Sequence, residues 1–181
     1  MHENEFTINA KELDKGPVRL EVNCTPEALD LEDPEFEFGR VTGEVTYTQA
    51  RPRVVGEGHL KTTATTRCVR CLGPADIQVN APVNAIYENE KMIRDTRGEM
   101  VSPEEQIITP YNGDWIQPEQ ELREAIMLEL PTLPLCREDC RGLCPRCGAN
   151  LNEGPCGCAP GDDEVSSWKT ALKGLKLKSD N

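Results

Sequence analysis

Alternating apolar and polar residues along the first half of the chain predict β-strands. The clearest run spans residues 77–87, where an apolar side chain occupies every second position. This two-residue period is typical of a strand with one buried and one wet face. Residues 41–48 alternate in the same way, and the threonine-rich run 60–66 has high strand propensity. Such short spacings predict an antiparallel meander rather than βαβ units.

Glycine and proline are expected to separate these strands from one another. Gly56 and Gly58 are predicted to mark the start of the 60–66 strand, and residues 73–74 (Gly-Pro) its end. Residues 89–113 mix charge, glycine and proline without periodicity, so they predict a long loop.

Helical signals are stronger in the second half of the chain. Pro118 opens a predicted helix over residues 118–130, which has acidic residues in its first turn and prolines beyond its end. Its apolar face comprises Leu122, Ala125, Ile126 and Leu130. A last amphipathic helix is predicted over about residues 163–176, either packed on the domain or docked on an RNA or protein partner. Residues 25–29 predict one helical turn, with threonine as its cap and proline in first position.

These elements predict an α+β protein with an antiparallel β-sheet, a packed helix, a cysteine-rich metal-binding element and a short C-terminal helix. Residues 1–135 form the predicted β-rich body, which includes the helix near 118–130. Residues 136–181 form the predicted cysteine-rich element and the C-terminal helix. At 181 residues, the two parts are expected to make one structural unit.

Charge is unevenly distributed along the chain. The net charge is −12, and residues 1–135 carry all of that excess, whereas residues 136–181 carry seven basic and seven acidic residues. Residues 165–178 contain four lysines and no acid. A polyanion should therefore be repelled by the body and tolerated at the C-terminal third.

Nine cysteines are many for a chain of this size. The acidic N-terminus does not look like a secretory signal, and no apolar stretch approaches the roughly 18 residues of a membrane span. We therefore expect a cytoplasmic protein without membrane association, in which clustered cysteines are metal ligands more often than disulfides. The odd number of cysteines agrees, since full pairing would leave one over. Cys24 stands alone in a strand-rich segment and is expected to be a small buried hydrophobe.

The last third of the chain carries a pattern that predicts a four-thiolate zinc site. Cys144 and Cys147 are spaced C-x-x-C and are followed by glycine, which allows a tight turn that aims both sulfurs at one ion. Cys156 and Cys158 follow shortly and can supply the other two ligands. Zinc prefers thiolates in closed tetrahedral sites, so the predicted role of this site is structural.

A second site is predicted from the remaining cysteines. Cys68 and Cys71 form another C-x-x-C pair in a predicted loop, and Cys136 and Cys140 follow the prolines that end the helix. Two alternatives stay open. The first pair could be a redox dithiol, although the βαβ context of that motif is missing. Either set of four could hold an iron–sulfur cluster in place of Zn²⁺.

Nothing in the sequence favours catalysis. The chain has two histidines, His2 and His59, and it lacks a nucleophile elbow, a P-loop and a GxGxxG motif, so no catalytic residue and no small-molecule substrate are predicted. His59 is expected to be an ordinary strand residue, and the many acids to be solvated.

Basic residues near the cysteines are candidate contacts to a nucleic acid or another partner. They either grip phosphates or balance the charge of the thiolates. The candidates are Arg67, Arg70, Arg137, Arg141 and Arg146, with Lys169, Lys173 and Lys176 on the predicted last helix.

The order of these motifs resembles the YceD family, whose members are called large ribosomal RNA subunit accumulation proteins. The resemblance rests on three blocks: Cys-Val-Arg-Cys-Leu at 68–72, Leu-Pro-Thr-Leu-Pro-Leu-Cys at 130–136, and Gly-Leu-Cys-Pro-Arg-Cys-Gly-Ala-Asn-Leu-Asn at 142–152 with Cys156 and Cys158. The third block is the most specific, whereas the N-terminal strands match only in general character.

This resemblance implies a bacterial, cytoplasmic, non-enzymatic factor that supports synthesis, processing or stability of large-subunit (23S) ribosomal RNA during ribosome biogenesis. The expected partner is this rRNA or its precursor, a ribosomal protein, or both. An alternative function is a zinc-dependent interaction module that binds a basic ribosomal protein.

Overall fold

The computed structural model of the chain describes residues 6–92 and 108–158. Strands make up most of the regular structure in these ranges. They are β1 (Ile8–Asn9), β2 (Val18–Cys24), β3 (Glu37–Phe38), β4 (Val41–Ala50), β5 (Arg53–Arg67), β6 (Pro74–Asn89), β7 (Ile108–Tyr111) and β8 (Trp115–Ile116). Helix α1 spans Glu119–Leu128. A 3-10 helix spans Pro26–Leu29 and begins directly after Thr25, the predicted cap.

The main sheet has the strand order β2-β4-β5-β6-β7, with β3 also paired to β5. Neighbours from β2 to β6 are antiparallel, as predicted, but β7 pairs with β6 in parallel. The expectation of a purely antiparallel sheet is therefore wrong at this edge. The predicted loop 89–113 is also wrong over Ile108–Tyr111, a strand of four residues that is too short to show a period.

The face of β6 was predicted correctly. Val79, Ala81, Val83 and Tyr87 are buried in the main core, and polar residues alternate with them. The strand is longer than the 77–87 run, because it continues the ladder with β5 as far as the pair Arg67 and Pro74. β5 and β6 thus form one long hairpin, whose loop is residues 68–73.

The expectation that glycines precede β5 is wrong, because Gly56 and Gly58 lie inside the strand. A Cβ atom at Gly56 would stand 2.6 Å from the ring of Tyr47. One at Gly58 would stand 2.1 Å from the carbonyl oxygen of Glu44. These glycines therefore allow β4 and the Tyr47 ring to approach the backbone of β5 closely.

Helix α1 packs on the sheet through Leu122 and Ile126, which are completely buried. It begins after Pro118 and ends two residues before the predicted Leu130. The α+β prediction is right about a packed helix but overstates the helical share, since the described residues are largely strand. The predicted C-terminal helix at 163–176 lies outside the described residues, and the boundary between residues 135 and 136 stays a prediction.

One acidic residue is buried and another is half-buried, although solvated acids were expected. Glu88 is 3% exposed and accepts a hydrogen bond from the guanidinium of Arg53 over 3.3 Å. Glu121 accepts hydrogen bonds from Tyr87 and from Thr109, at 3.2 and 2.6 Å. Withdrawal of a carboxylate from water is tolerated because each has such donors.

Candidate metal centres and partner surface

The first cysteine pair occupies the loop of the β5–β6 hairpin. Cys68 follows β5 directly, and its N–H donates to the carbonyl oxygen of Gly73 over 2.8 Å. The N–H of Leu72 donates back to the carbonyl oxygen of Cys68 over 2.9 Å. Leu72 adopts a left-handed conformation with φ of 59°. This turn holds the Cys68 and Cys71 side chains on one side of the loop.

The segment after α1 brings the second pair to the same place. The N–H of Val69 donates to the carbonyl oxygen of Pro134 over 3.0 Å, which fixes the chain beside the hairpin loop. The Sγ atoms of Cys68 and Cys140 then lie 3.7 Å apart, and those of Cys71 and Cys136 3.6 Å apart. All four sulfurs lie within 4.8 Å of one another. We call this set of four cluster 1.

Cys144, Cys147, Cys156 and Cys158 form cluster 2, with sulfurs that also lie within 4.8 Å of one another. Its first turn repeats the geometry of the hairpin loop. The N–H of Cys144 donates to the carbonyl oxygen of Ala149 over 2.8 Å, and the N–H of Gly148 donates to Cys144 over 2.9 Å. Gly148, with φ of 72°, takes the place of Leu72. The two C-x-x-C segments are therefore two copies of one local structure.

The sulfur spacing in cluster 1 fits a single tetrahedral ion. Thiolates bound to zinc at about 2.3 Å stand about 3.8 Å from one another, close to the two distances found here. A disulfide needs about 2.05 Å, and all nine cysteines are free. A four-iron cluster carries each cysteine on a different iron, which spreads the sulfurs farther apart than one ion does. Each cluster could hold one metal ion.

In each of the two turns, backbone N–H groups lower the pKa of one cysteine thiol. The N–H of Cys71 is the main cause that lowers the pKa of the Cys68 thiol to about 6. The N–H groups of Cys147 and Arg146 lower the pKa of Cys144 to about 6 in the same way. In contrast, the hydrogen bond with the Cys147 sulfur raises the pKa of Cys158 to about 12. Four sulfurs at this separation cannot all ionise without a cation between them.

Asn152 connects the two clusters. It follows the turn of cluster 2, and its Nδ2 donates to the Sγ of Cys140 in cluster 1 over 3.3 Å. Its Oδ1 accepts from the guanidinium of Arg137 over 2.8 Å and from the N–H of Arg141 over 2.9 Å. The Asn152 amide is also the main cause that lowers the pKa of Cys140.

The guanidinium groups of Arg70 and Arg137 bind groups of the site itself. Arg70 donates to the carbonyl oxygen of Cys140 over 3.0 Å, which ties the hairpin loop to the segment after α1. Arg137 holds Asn152 and forms an ion pair with Asp139 at 3.3 Å. These two side chains therefore support the local backbone of the site, and charge balance of the thiolates by arginine stays a prediction.

The other three arginines, Arg67, Arg141 and Arg146, are exposed around the clusters. Lys169, Lys173 and Lys176 lie outside the described residues. Metal binding by the eight cysteines and partner contact by the basic residues remain predictions.

Sequence reasoning missed Asn150, Asn152 and Gly142. The Oδ1 of Asn150 accepts a hydrogen bond from the N–H of Asn152 over 3.1 Å and so helps to orient Asn152. Gly142 has φ of 72°, and a Cβ there would lie 3.0 Å from the carbonyl oxygen of Arg70. All three residues lie in the block at 142–152 that carries the family resemblance. A side chain that donates a hydrogen bond to a cysteine sulfur, however, has no characteristic spacing in the sequence by which it could be recognised.

The surface beside cluster 1 also carries apolar side chains. Val69 and Leu72 in the hairpin loop are 47% and 63% exposed, and Leu133 in the facing segment is 70% exposed. In the ranges that the structure describes, no helix is long and apolar enough to cross a bilayer.

Curated relatives match between 61% and 66% of the chain. An uncharacterised protein of Mycobacterium tuberculosis is 34% identical over 111 residues, which is 61% of this chain and 46% of the relative. One from Mycobacterium leprae is 31% identical over 119 residues, covering 66% of this chain and 51% of the relative. The chain therefore spans about half the length of these relatives. No solved structure matches it.

A plant relative carries a descriptive name. The large ribosomal RNA subunit accumulation protein YCED homolog 1, chloroplastic, of Zea mays is 25% identical over 139 residues, which is 64% of this chain and 47% of the relative. The family described as large ribosomal RNA subunit accumulation protein YceD matches residues 56–176, which include most of β5, all of β6 and both clusters. Since this match covers more than half of its length, the chain belongs to the YceD family.

Proposed function

We propose that this protein is a non-enzymatic factor in ribosome biogenesis, which supports the synthesis, processing or stability of large-subunit (23S) rRNA in the cytoplasm. The family name describes accumulation of an RNA and not a reaction. The observation that carries the proposal is the pair of linked four-cysteine clusters at the hairpin loop, with exposed arginines around them.

Zinc is the metal that we propose for both clusters. Among the described residues, the small core at cluster 1 contains Ala75 besides the cysteines, with Ile77, Leu135 and Leu143 partly buried around it. So few apolar contacts are a weak basis for folding residues 131–158. A structural zinc site can supply folding free energy on the order of 10–16 kcal/mol. Four thiolates also complete the tetrahedron, so the ion would have no open position for catalysis.

The proposed contact with rRNA is made by Arg67, Arg141 and Arg146. Guanidinium groups pair with phosphates through two hydrogen bonds, and a metal-stiffened loop holds them in place. The acidic body would face away from the RNA, because phosphate contact requires cationic surface.

A second candidate function is a zinc-dependent module that binds a basic ribosomal protein. The exposed Val69, Leu72 and Leu133 favour it, since an apolar patch is more useful to a protein partner than to a phosphate backbone.

The test is charge reversal at the three exposed arginines. The triple variant Arg67→Glu, Arg141→Glu, Arg146→Glu keeps Arg70 and Arg137, so cluster 1 retains its supports. We expect it to lose crosslinking to 23S rRNA in cells while it keeps its metal content. In vitro, the affinity for duplex RNA should depend less steeply on salt. The magnitude of the slope of log affinity against log salt concentration should decrease by about 0.9 for each lost phosphate contact.

The matched control reverses three basic residues of the body, Lys15, Arg19 and Lys61, all of which are exposed. It should crosslink like the parent protein. An unchanged crosslink in the arginine variant would rule out the RNA contact, and loss of co-purifying ribosomal protein instead would favour the second candidate.

A further inference from the structure

Strand β6 has one side that is only partly paired. On its first side it pairs with β5 over the whole stretch from Pro74 to Glu88. On its second side it pairs with β7 from Ile86 to Asn89. Among residues 6–92 and 108–158, no strand covers residues 74–85 on that second side. Within the described part of the chain, about twelve residues of backbone, roughly 40 Å at 3.3 Å per residue, thus form an open sheet edge.

Pro82 shows which backbone groups face this edge. Proline has no N–H, so within a continuous ladder it is tolerated where that N–H would point away from the neighbouring strand. The ladder between β5 and β6 has no bulge, because the register is constant throughout. Backbone groups alternate in direction, so Asn80 and Asn84 turn their N–H and C=O groups to the same open side as Pro82.

The end of this edge nearest β7 borders a groove of about 580 Å³ between β6 and helix α1. Residues 82–86 form one wall. The helix supplies the carboxylates of Glu121, Glu124 and Glu129 and the side chain of Leu128, which is 83% exposed. Among the described residues, no lysine or arginine lines the groove. The surface formed by these residues is therefore negatively charged and includes one strongly exposed apolar side chain.

We propose that an extended, basic segment of a partner protein binds this groove and adds a strand to the open edge of β6. Backbone hydrogen bonds to Asn84 and Asn80 would hold the segment, as in other cases of strand addition. Its lysine or arginine side chains would meet Glu124 and Glu129, and an apolar side chain would cover Leu128. RNA does not suit this surface, because carboxylates repel phosphates and an open strand edge pairs with a polypeptide.

This site is independent of the rRNA contact proposed above, which uses arginines at the opposite end of the β5–β6 hairpin. The natural partner is not needed for the test, because the surface should accept any segment with the right chemistry. A ten-residue peptide in which lysine alternates with valine is a suitable probe, with a peptide in which glutamate replaces lysine as its counterpart.

Fluorescence anisotropy of the labelled peptides with the full chain measures binding. We expect the lysine peptide to bind and the glutamate peptide not to bind. The variant Glu124→Gln, Glu129→Gln should weaken binding roughly tenfold, as expected for the loss of two exposed ion pairs. The control Glu21→Gln, Glu57→Gln removes the same charge from exposed positions on β2 and β5 and should bind like the parent.

Hydrogen exchange locates the bound peptide. The amides of Asn80 and Asn84, which face the open edge, should exchange rapidly in the free protein and become protected when the lysine peptide is present. The variant Asn84→Pro, which removes one outward N–H, should abolish both effects; its metal content and melting curve show whether it is folded.

Three results would overturn the proposal. The first is no binding up to about 1 mM peptide, or equal binding by the Glu124 and Glu129 variant. The second is strong protection of the outward amides of Asn80 and Asn84 in the free protein, which would mean that residues of this chain cover the edge. The third is displacement of the lysine peptide by rRNA in the charge-reversed variant of Arg67, Arg141 and Arg146, which would place RNA in the groove.

Discussion

The side-chain amide of Asn152 donates a hydrogen bond to the sulfur of Cys140 over 3.3 Å. Asn152 belongs to the loop of cluster 2, and Cys140 belongs to cluster 1. Groups that bond a ligand sulfur orient it and tune its affinity for the ion. The ordering of cluster 2 therefore supports the geometry of cluster 1.

Replacement of Asn152, which lies in the loop of cluster 2, should weaken metal binding at cluster 1. In Asn152→Leu the Cys140 sulfur loses its donor, and Arg137 and the N–H of Arg141 lose their acceptor. We expect cluster 1 to release zinc to a chelator roughly 10–100-fold more readily. A chromophoric chelator measures this in a competition titration. Asn112→Leu, at an exposed position, is the control, and equal zinc retention in both variants would contradict the linkage.

Each chain should bind two zinc ions. Elemental analysis of the purified protein should give two per chain, and Cys71→Ser and Cys156→Ser should each remove one, from cluster 1 and cluster 2 respectively. Cys24→Ala should remove none, since Cys24 lies in β2 and belongs to neither cluster. Iron in place of zinc would contradict the proposed metal, and one ion in the parent protein would contradict the pairing of the clusters.

Metal binding should weaken as the pH falls. Cys158, with its pKa raised to about 12, must lose a proton when the ion binds, so affinity decreases with acidification throughout the neutral range. Cys68 and Cys144, with pKa values of about 6, are thiolates above that pH and begin to take up protons below it. We therefore expect zinc release to become steeper below about pH 6. A titration with a zinc dye from about pH 8 to about pH 5 measures it, and a flat profile would contradict the expectation.

Gly58, inside β5, should be essential for the packing of β5 against β4. In Gly58→Ala the new methyl group would stand 2.1 Å from the carbonyl oxygen of Glu44, so the strands must separate. We expect the free energy of unfolding to fall by about 1–3 kcal/mol, which denaturant titration measures. Gly39→Ala is the matched control, because its Cβ would lie 3.5 Å from the nearest atom. Equal stability of the two variants would show that the strands adapt.

Local periodicity predicted the parts of the fold that local sequence controls. The alternation at 77–87 gave the buried face of β6, and Pro118 with Leu122 and Ile126 gave the helix and its buried face. The same holds for the site: the C-x-x-C pairs suggested two groups of cysteines, and the structure brings together the sulfurs of the same two groups. Whether these groups bind metal stays a prediction.

Features that depend on distant residues were not predictable in this way. β7 has four residues and gains its place from pairing with β6, not from any pattern of its own. Arg70 and Arg67 look alike in the sequence, yet only tertiary contact shows that Arg70 bonds the backbone of Cys140. Glu121 is half-buried and accepts hydrogen bonds from Tyr87 and Thr109, and neither is near it in the chain.

The length of strand β6 sets the distance between the two proposed binding surfaces. The strand begins at Pro74 beside cluster 1 and reaches the groove at Pro82, so eight residues, or about 26 Å, lie between them. Ionic screening at physiological salt acts over about 8 Å, so charges at one end exert little force at the other. The arginines can therefore hold an anionic molecule while the carboxylates hold a cationic one, without mutual interference. The hairpin would then act as a rigid spacer that keeps the two molecules at a fixed separation.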